Sequence, residues 1–526
     1  MKNIFLPVLT LCLLNVFAVT LCAARAKENT DRFNIRAYGA KGDGHTLDSE
    51  AINNAINAAA KAGGGTVYFP AGTYLSFSLR LQSNISLYLD QGAVLLAADA
   101  SSAGLAGYDA AEPNDWGDKY EYQDFGHSHW HNSLIWGENL HDISILGPGK
   151  IDGKGLTRGF VPQTKGIGNK AIALKLCRNV ILRDFSILMG GHFGILATGV
   201  DNMTVDNLKI DTNRDGIDID ACKNVRVSNC SVNSPFDDGI CLKSSYALGY
   251  PKPTENVTIT NCQVSGFDRG TFLDGTYKRK EWSKVPDKEG PTGRIKFGTE
   301  SNGGFRNITI SNCVFDYCRG LALETVDGGL LEDVTISNIT MRDVVNSPIF
   351  LRLSSRMRGP AGTPIGKLRR ILISNVMVYN ADSHFASIIS GIPGNDIEDV
   401  KLRDIRIFYR QIDSAATKIQ QVVPEHEKTY PEPQKMGVMP AYGFFIRHVK
   451  NIELNNVEVS YLQSETRPAI VMDDVRGAEF FNVKAQKAGK AALIELRNVY
   501  DFNISGSKQL KSRQIKNIEK ITIDNE

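Results

Sequence analysis

A surplus of one charge is what this chain most clearly lacks. Sixty lysines and arginines stand against 58 aspartates and glutamates, a formal net charge of +2 over 526 residues. That balance argues against a dedicated nucleic-acid binder, whose surface concentrates positive charge, and leaves room for a local basic groove that takes an acidic substrate. A second long apolar run is missing too. Ile4 to Leu21 is apolar, follows Lys2 and leads into Ala24-Arg25-Ala26, which predicts an export signal peptide over residues 1–26. Asn15 and the nearby small-residue site weigh against a membrane anchor, and Cys22 lacks the small residue that precedes a lipidated cysteine. No later stretch is apolar and long enough to span a bilayer, so the mature chain is expected to be secreted or periplasmic, with no membrane span. Cysteines are few: nine, with Cys12 and Cys22 in the signal, leaving an odd seven. Three recur as Asn229-Cys230, Asn261-Cys262 and Asn312-Cys313, a regularity that favours small apolar core positions over a disulfide framework. One bridge among Cys222, Cys241 and Cys318 stays open.

What is present is a repeat. Asn179-Val-Ile-Leu-Arg-Asp-Phe-Ser-Ile is echoed from Asn202, Asn224, Asn256, Asn307, Asp333, Arg370, Asp399 and Asn451. The tightest intervals are ~22–26 residues, the length of one solenoid coil, and wider gaps mark loops inserted into a coil. Each phrase reads apolar-x-apolar, a polar pair, apolar-x-apolar: two short strands with one buried face and a bend between them. Asparagine or aspartate recurs at that bend, at Asn207, Asn229, Asn261, Asn312, Asn338, Asn375, Asp404, Asn456 and Asn482. Stacked in register, such side chains can form a hydrogen-bonded ladder.

The spacing therefore predicts an all-β fold, a right-handed parallel β-helix over about residues 30–510. A short capping helix at Asp48–Lys61, with Ile52 and Ile56 at helical spacing, would close its N-terminal end. The basic tail, residues 511–526, is expected to fray, and the protein to act as a monomer. Coils ~4.8 Å apart bring distant carboxylates onto one face. Asn213-Arg214-Asp215-Gly216-Ile217-Asp218 and Asp237-Asp238-Gly239 lie about one coil apart, so their acids should converge. Such a cluster, one acid protonated and another ionised, is what glycosidic cleavage needs.

Phe33 to Gly44 and Gly64 to Tyr74 resemble the opening of the pectin-degrading β-helix superfamily. Leu134 to Gly153 resembles the next landmark of glycoside hydrolase family 28, the polygalacturonase family. Asn213 to Asp218 is similar to that family's Asn-Thr-Asp motif with Arg214 in place of threonine, and Asp237-Asp238 matches its aspartate pair. The resemblance implies an inverting hydrolase of pectin backbone that needs no cofactor or metal and takes an acidic plant cell-wall polysaccharide as partner. By position, Asp237 would be the general acid, while Asp215 and Asp238 would hold and activate the water across a gap of ~6.5–9.5 Å. Asp218 and Asp220 read as supporting residues.

Two departures bear on the substrate. Pro291 to Lys296 stands where the family has Gly-His-Gly, and Gly320 to Thr325 stands where it has Arg-Ile-Lys. The literal Arg294-Ile295-Lys296 belongs to the earlier landmark. Arg294 and Lys296 are either groove cations for a uronate or a solvated strand face. Glu324, where the family has lysine, would repel a uronate and suit a neutral sugar, which favours rhamnogalacturonan over polygalacturonan.

His192 and Asn213 are further candidates for substrate contact, His192 equally a structural histidine. His127, His129 and His131 alternate and on a strand could face one metal, although nothing else in the sequence completes a site. Trp116, Trp130 and Trp282 are candidates to stack on sugar rings. Insertions near Tyr108–His131, Asp268–Glu289 and Ile412–Tyr442 should gather beside the coils they interrupt, with Glu425 to Pro431 compatible with a lid. A polysaccharide lyase using calcium and a basic residue, and a non-catalytic carbohydrate-binding solenoid, are the competing readings.

Overall fold

The computed structural model describes residues 32–99, 107–157, 166–279, 291–411 and 418–524. The proposed signal peptide and Trp282 lie outside them. The described strands pair coil on coil in parallel register, from Arg32–Asn34 to Ile494–Ser505. One coil advances 22 residues from Phe193 to Asp215, which sit side by side, and Ile195 stacks on Ile217 and then on Ile240. The chain is a right-handed parallel β-helix.

Inward residues of successive coils form continuous apolar columns. Cys230, Cys262 and Cys313 occupy one of them, followed by Ile339 and Val376 in the same register. All seven described cysteines are buried free thiols, so the core reading holds and no bridge joins Cys222, Cys241 and Cys318. A thiol there replaces a branched aliphatic side chain.

The bends between strands carry left-handed backbone, with φ near +55° at Asn207, Asn229, Asn261 and Asn312. Asparagine tolerates that region because its amide bonds locally. The amides also bond along the axis: Asn338 Nδ2 donates to Asn312 at 3.0 Å, Asn375 to Asn338 at 3.2 Å and Asn482 to Asn456 at 3.0 Å. A second ladder runs through the first residue of each phrase. Asn202 donates to Asn179, Asn224 to Asn202, Asn256 to Asn224 and Asn307 to Asn256, at 2.7–3.1 Å.

The helix Ser49–Lys61 caps the N-terminal end with Ile52, Ala55, Ile56 and Ala59 buried against the first coils. At the other end the expectation of a frayed tail is corrected. Arg513–Ile523 forms an antiparallel strand on Ile494–Ser505, so the last coil's open edge is paired. Its charges face outward while Ile523 packs into the core.

Candidate active site

The strands Phe193–Thr198, Asp215–Asp220, Ile240–Ser244, Ile295–Ser301 and Leu321–Thr325 stack as one sheet whose outer face lies under two inserted loops. At the start of the second and third of these strands the three aspartates converge. One oxygen from each of Asp215, Asp237 and Asp238 lies within 4.8 Å of the others. These nearest oxygens lie closer together than the ~6.5–9.5 Å that separates the carboxyl groups of an inverting pair with a water between them. The aspartates are brought in by adjacent coils only one strand spacing apart.

The three acids have different surroundings. Asp215 is fully buried and neither oxygen has a hydrogen-bond partner. Burial, then the neighbouring charges of Asp218 and Asp237, push its carboxyl well above the usual range. Burial would raise Asp238 too, but Lys296, Arg294 and Lys243 overcome it and hold that carboxyl at about 2. Asp237 is the member open to solvent, with 26% of its side chain exposed. Its Oδ2 accepts from Arg214 Nε at 2.8 Å and its Oδ1 from the Asp238 N–H at 3.0 Å.

Arg214, the residue standing where threonine was expected, was marked in the sequence as a departure from the motif and given no role in the site. Its guanidinium lies between Asp237, Asp215 at 3.7 Å and Asp124 at 3.7 Å, and it also contacts His192. His192 is fully buried, 3.2 Å from Asp124. The structure thus sets His192 behind Arg214 in the wall of the site. Asn213 serves the backbone: its Oδ1 accepts from the Gly191 N–H at 2.9 Å.

Arg294 and Lys296 reach the cluster, and neither is a solvated strand face; both are 2% exposed. Arg294 Nε donates to Asp238 Oδ1 at 2.9 Å, and Lys296 Nζ lies 3.6 Å from Asp238 Oδ2. Glu324 is also fully buried, 3.5 Å from Lys296 and 4.0 Å from Arg294. Burial lifts its carboxyl to about 7, against the pull of those two cations. The reading of Glu324 as a bare negative charge that repels a uronate is therefore corrected: it is enclosed and compensated.

Two loops complete the site. From the segment after residue 418, Tyr430 Oη meets Lys296 Nζ at 3.2 Å and Thr299 Oγ1 at 2.8 Å, and Glu432 sits on Arg294 and Arg319. The same segment lays Val423, Met436 and Met439 on the outer face of Ala322, Phe350, Ile388 and Phe445. On the other side of the acids Trp130 covers Ala173, Phe193 and Leu196 and donates to Thr198. Trp130 is thus core, while Trp116 stacks with Tyr120 and Tyr122 and meets Tyr246 edge-on.

The alternating histidines do not share a face. Phe125–Ser128 is a helical turn, and His127, His129 and His131 turn to Asp220, Asp118 and Glu138 respectively. The aspartate triplet has spacing that would suit a cation, but Arg214 and Arg294 already place positive charge on Asp237 and Asp238. Asp218 and Asp220 support from below. Asp218 lies 3.4 Å from Lys243, and Asp220 accepts from Ser245 N and Oγ at 2.7 Å. Burial raises Asp218 to about 7.

The acids thus lie together on one sheet of a right-handed parallel β-helix, under loops that wall them on both sides. Residues 32–122 match the family described as rhamnogalacturonase A/epimerase, pectate lyase-like, and residues 163–281 match the right-handed beta helix region. A probable polygalacturonase of Vitis vinifera is 27% identical over 323 residues, 58% of this chain and 60% of that protein. An exo-poly-alpha-D-galacturonosidase of Dickeya chrysanthemi is 28% identical over 221 residues, 40% of this chain and 34% of that one. The chain thus spans less than two thirds of the length of either relative. The family 28 exopolygalacturonase of Yersinia enterocolitica shares the fold, with a TM-score of 0.63 at 20% identity, covering 85% of this chain and 78% of that one. With the ordered aspartate motifs, these matches support the resemblance of the chain to glycoside hydrolase family 28.

Proposed function

We propose that this chain hydrolyses galacturonosyl linkages in the backbone of pectin. The observation that carries the reading is the meeting of Asp215, Asp237 and Asp238 within 4.8 Å in a loop-walled site rich in cations. Asp238, held ionised by Lys296 and Arg294, can accept a hydrogen bond from the attacking water and orient it. Asp237, the exposed member, is the acid for the leaving oxygen. Its contact with Arg214 in the free protein must be released for that step, and Asp215, whose neutral form burial favours, is a neighbouring source of the proton. Inversion at the anomeric carbon is the family expectation; the short carboxylate spacing makes it a point for direct test.

The walls on both sides of the acids favour action at a chain end over internal cleavage, in keeping with the exo-acting relatives. Rhamnogalacturonan remains a candidate substrate beside polygalacturonan. The burial of Glu324 removes one argument for it, and the match of residues 32–122 to the rhamnogalacturonase A/epimerase family supplies another. The purified chain should be incubated separately with polygalacturonan and with rhamnogalacturonan oligosaccharides, with products followed by mass spectrometry and early anomeric NMR. Saturated monomers or dimers from the first time point, of inverted configuration, are expected from at least one substrate. A ladder of internal fragments would discard the chain-end reading, and retained configuration would discard inversion. Absence of product from both would discard the hydrolase and favour the carbohydrate-binding alternative.

A further inference from the structure

Beside Asp238 a carboxylate is already seated between two arginines, and it belongs to the protein. Arg294 Nη2 and Nη1 face Glu432 Oε1 and Oε2 at 2.5 and 3.4 Å, and Arg319 Nη1 reaches Oε1 at 3.3 Å. The opposite edge of the Arg294 guanidinium holds Asp238 at 2.9 Å. Any carboxylate in that seat therefore lies one guanidinium width from an acid of the cluster. A forked guanidinium is the group that best matches a planar carboxylate, and a second guanidinium adds charge without adding bulk at the seat.

The strap that carries Glu432 does not depend on it for anchorage. Upstream, Glu425 is held by Arg447 at 2.9 Å and His448 at 3.1 Å, and the Glu427 carbonyl accepts from the Ser355 N–H at 2.8 Å. Downstream, Gln434 accepts from Asn346 at 3.0 Å, while Met436 and Met439 are buried in the apolar cluster. Glu432 has extended backbone at the head of the short helix Pro433–Met436 and makes no capping bond to it. Rotation of its side chain alone would empty the seat and leave the strap in place.

We propose that Arg294 and Arg319 form a subsite for the carboxylate of a substrate uronate, and that Glu432 fills this subsite in cis until the substrate displaces it. This rests on the reading of the protein as a pectin-backbone hydrolase and names the group that reading must recognise. A neutral sugar offers no anion to replace Glu432, so it cannot compensate the charge that Glu432 now places on the two buried guanidinia, and the clamp stays closed to it. The clamp thereby selects uronates at a position away from the place where the family carries Arg-Ile-Lys.

The test measures binding of free D-galacturonate and of D-galactose to the full-length mature chain by calorimetry, so that no turnover is needed. Glu432→Gln, close in shape but uncharged, should tighten galacturonate binding by at least about tenfold and leave galactose unchanged. Glu432→Asp, which shortens the reach, should act in the same direction with a smaller change. Arg319→Gln should weaken galacturonate binding by about tenfold or more, with circular dichroism confirming the fold of each variant. Unchanged or weaker galacturonate binding in both Glu432 variants overturns the proposal, as does equal tightening for galactose. If pectin backbone is not cleaved yet galacturonate binding responds as stated, the functional reading fails and the subsite stands. If cleavage occurs and the Glu432 variants bind galacturonate no better, the subsite fails and the function stands.

Discussion

Along one edge of the solenoid Asn179, Asn202, Asn224, Asn256 and Asn307 stack in the open, each amide satisfied by the next. On the loop-covered sheet of the same coils Asp215, Asp218, Asp238, Arg294, Lys296 and Glu324 stack out of solvent, and the carboxyl oxygens of Asp215 and Asp218 accept no hydrogen bond. Both rows come from the same operation, one coil laid on another. A neutral amide is donor and acceptor at once, so its stacking is self-satisfying and stabilises the fold. A carboxylate only accepts, so stacking it concentrates like charge, and cations from neighbouring coils and loops must compensate. The ladder is where repetition stabilises, and the acid row is where repetition creates a chemically reactive and costly surface.

The difference can be broken most severely at the acids. Asp237→Asn should lower kcat by at least about a hundredfold with substrate binding nearly intact, read by initial rates and calorimetry. Unchanged turnover would remove Asp237 from the reaction. Glu324→Lys would set a third cation against Lys296 and Arg294 with its compensating charge gone, and should cost about 3–5 kcal/mol in chemical denaturation. A variant of native stability, with activity shifted toward polygalacturonan, would restore the open-subsite reading of Glu324.

A milder change sharpens the comparison through pH. Glu324 is raised from an ordinary 4.5 to about 7 in the folded chain. Between those values the folded state keeps a proton that the unfolded state has released, so stability falls as pH rises through that window. The contribution is at most about 3 kcal/mol. Glu324→Gln should flatten the stability profile between pH 5 and 7 (approximate limits of that window), and an unaltered slope would assign it to other groups. The ladder should give the smallest effect. Asn224 has φ of +58° and takes part in two amide bonds, so Asn224→Ala should cost about 1–2 kcal/mol, with Asn224→Gly recovering part of it. A loss as large as at Glu324 would mean that the ladder carries more than local satisfaction.

The same contrast explains what could be read from the chain. Coils, ladder and interior cysteines were legible because one residue type recurs at one interval, and stacking turns recurrence into contact. Asp215, Asp237 and Asp238 were legible for the same reason, their motifs lying one coil apart. Glu432 and Tyr430 were not, because they reach Arg294 and Lys296 from a loop more than 130 residues later, and no periodicity dictates where a loop comes to rest. Arg214 was visible as an unusual residue in its motif, yet its side chain could not be placed among three aspartates without coordinates. The histidine triplet misled because alternation implies one face only on a strand, and Phe125–Ser128 is a helical turn. The tail misled because its charge suggested solvent, whereas Ile515, Ile518, Ile521 and Ile523 pack against the core as it pairs with the last coil.

The most direct test of the account is digestion of polygalacturonan and rhamnogalacturonan oligosaccharides in heavy-oxygen water, with wild type and Asp237→Asn side by side and products read by mass spectrometry. The account predicts saturated products carrying one heavy oxygen at each new reducing end, from the wild type and not from the variant. Unsaturated products without the label, or equal product from the variant, would contradict hydrolysis by the aspartate cluster.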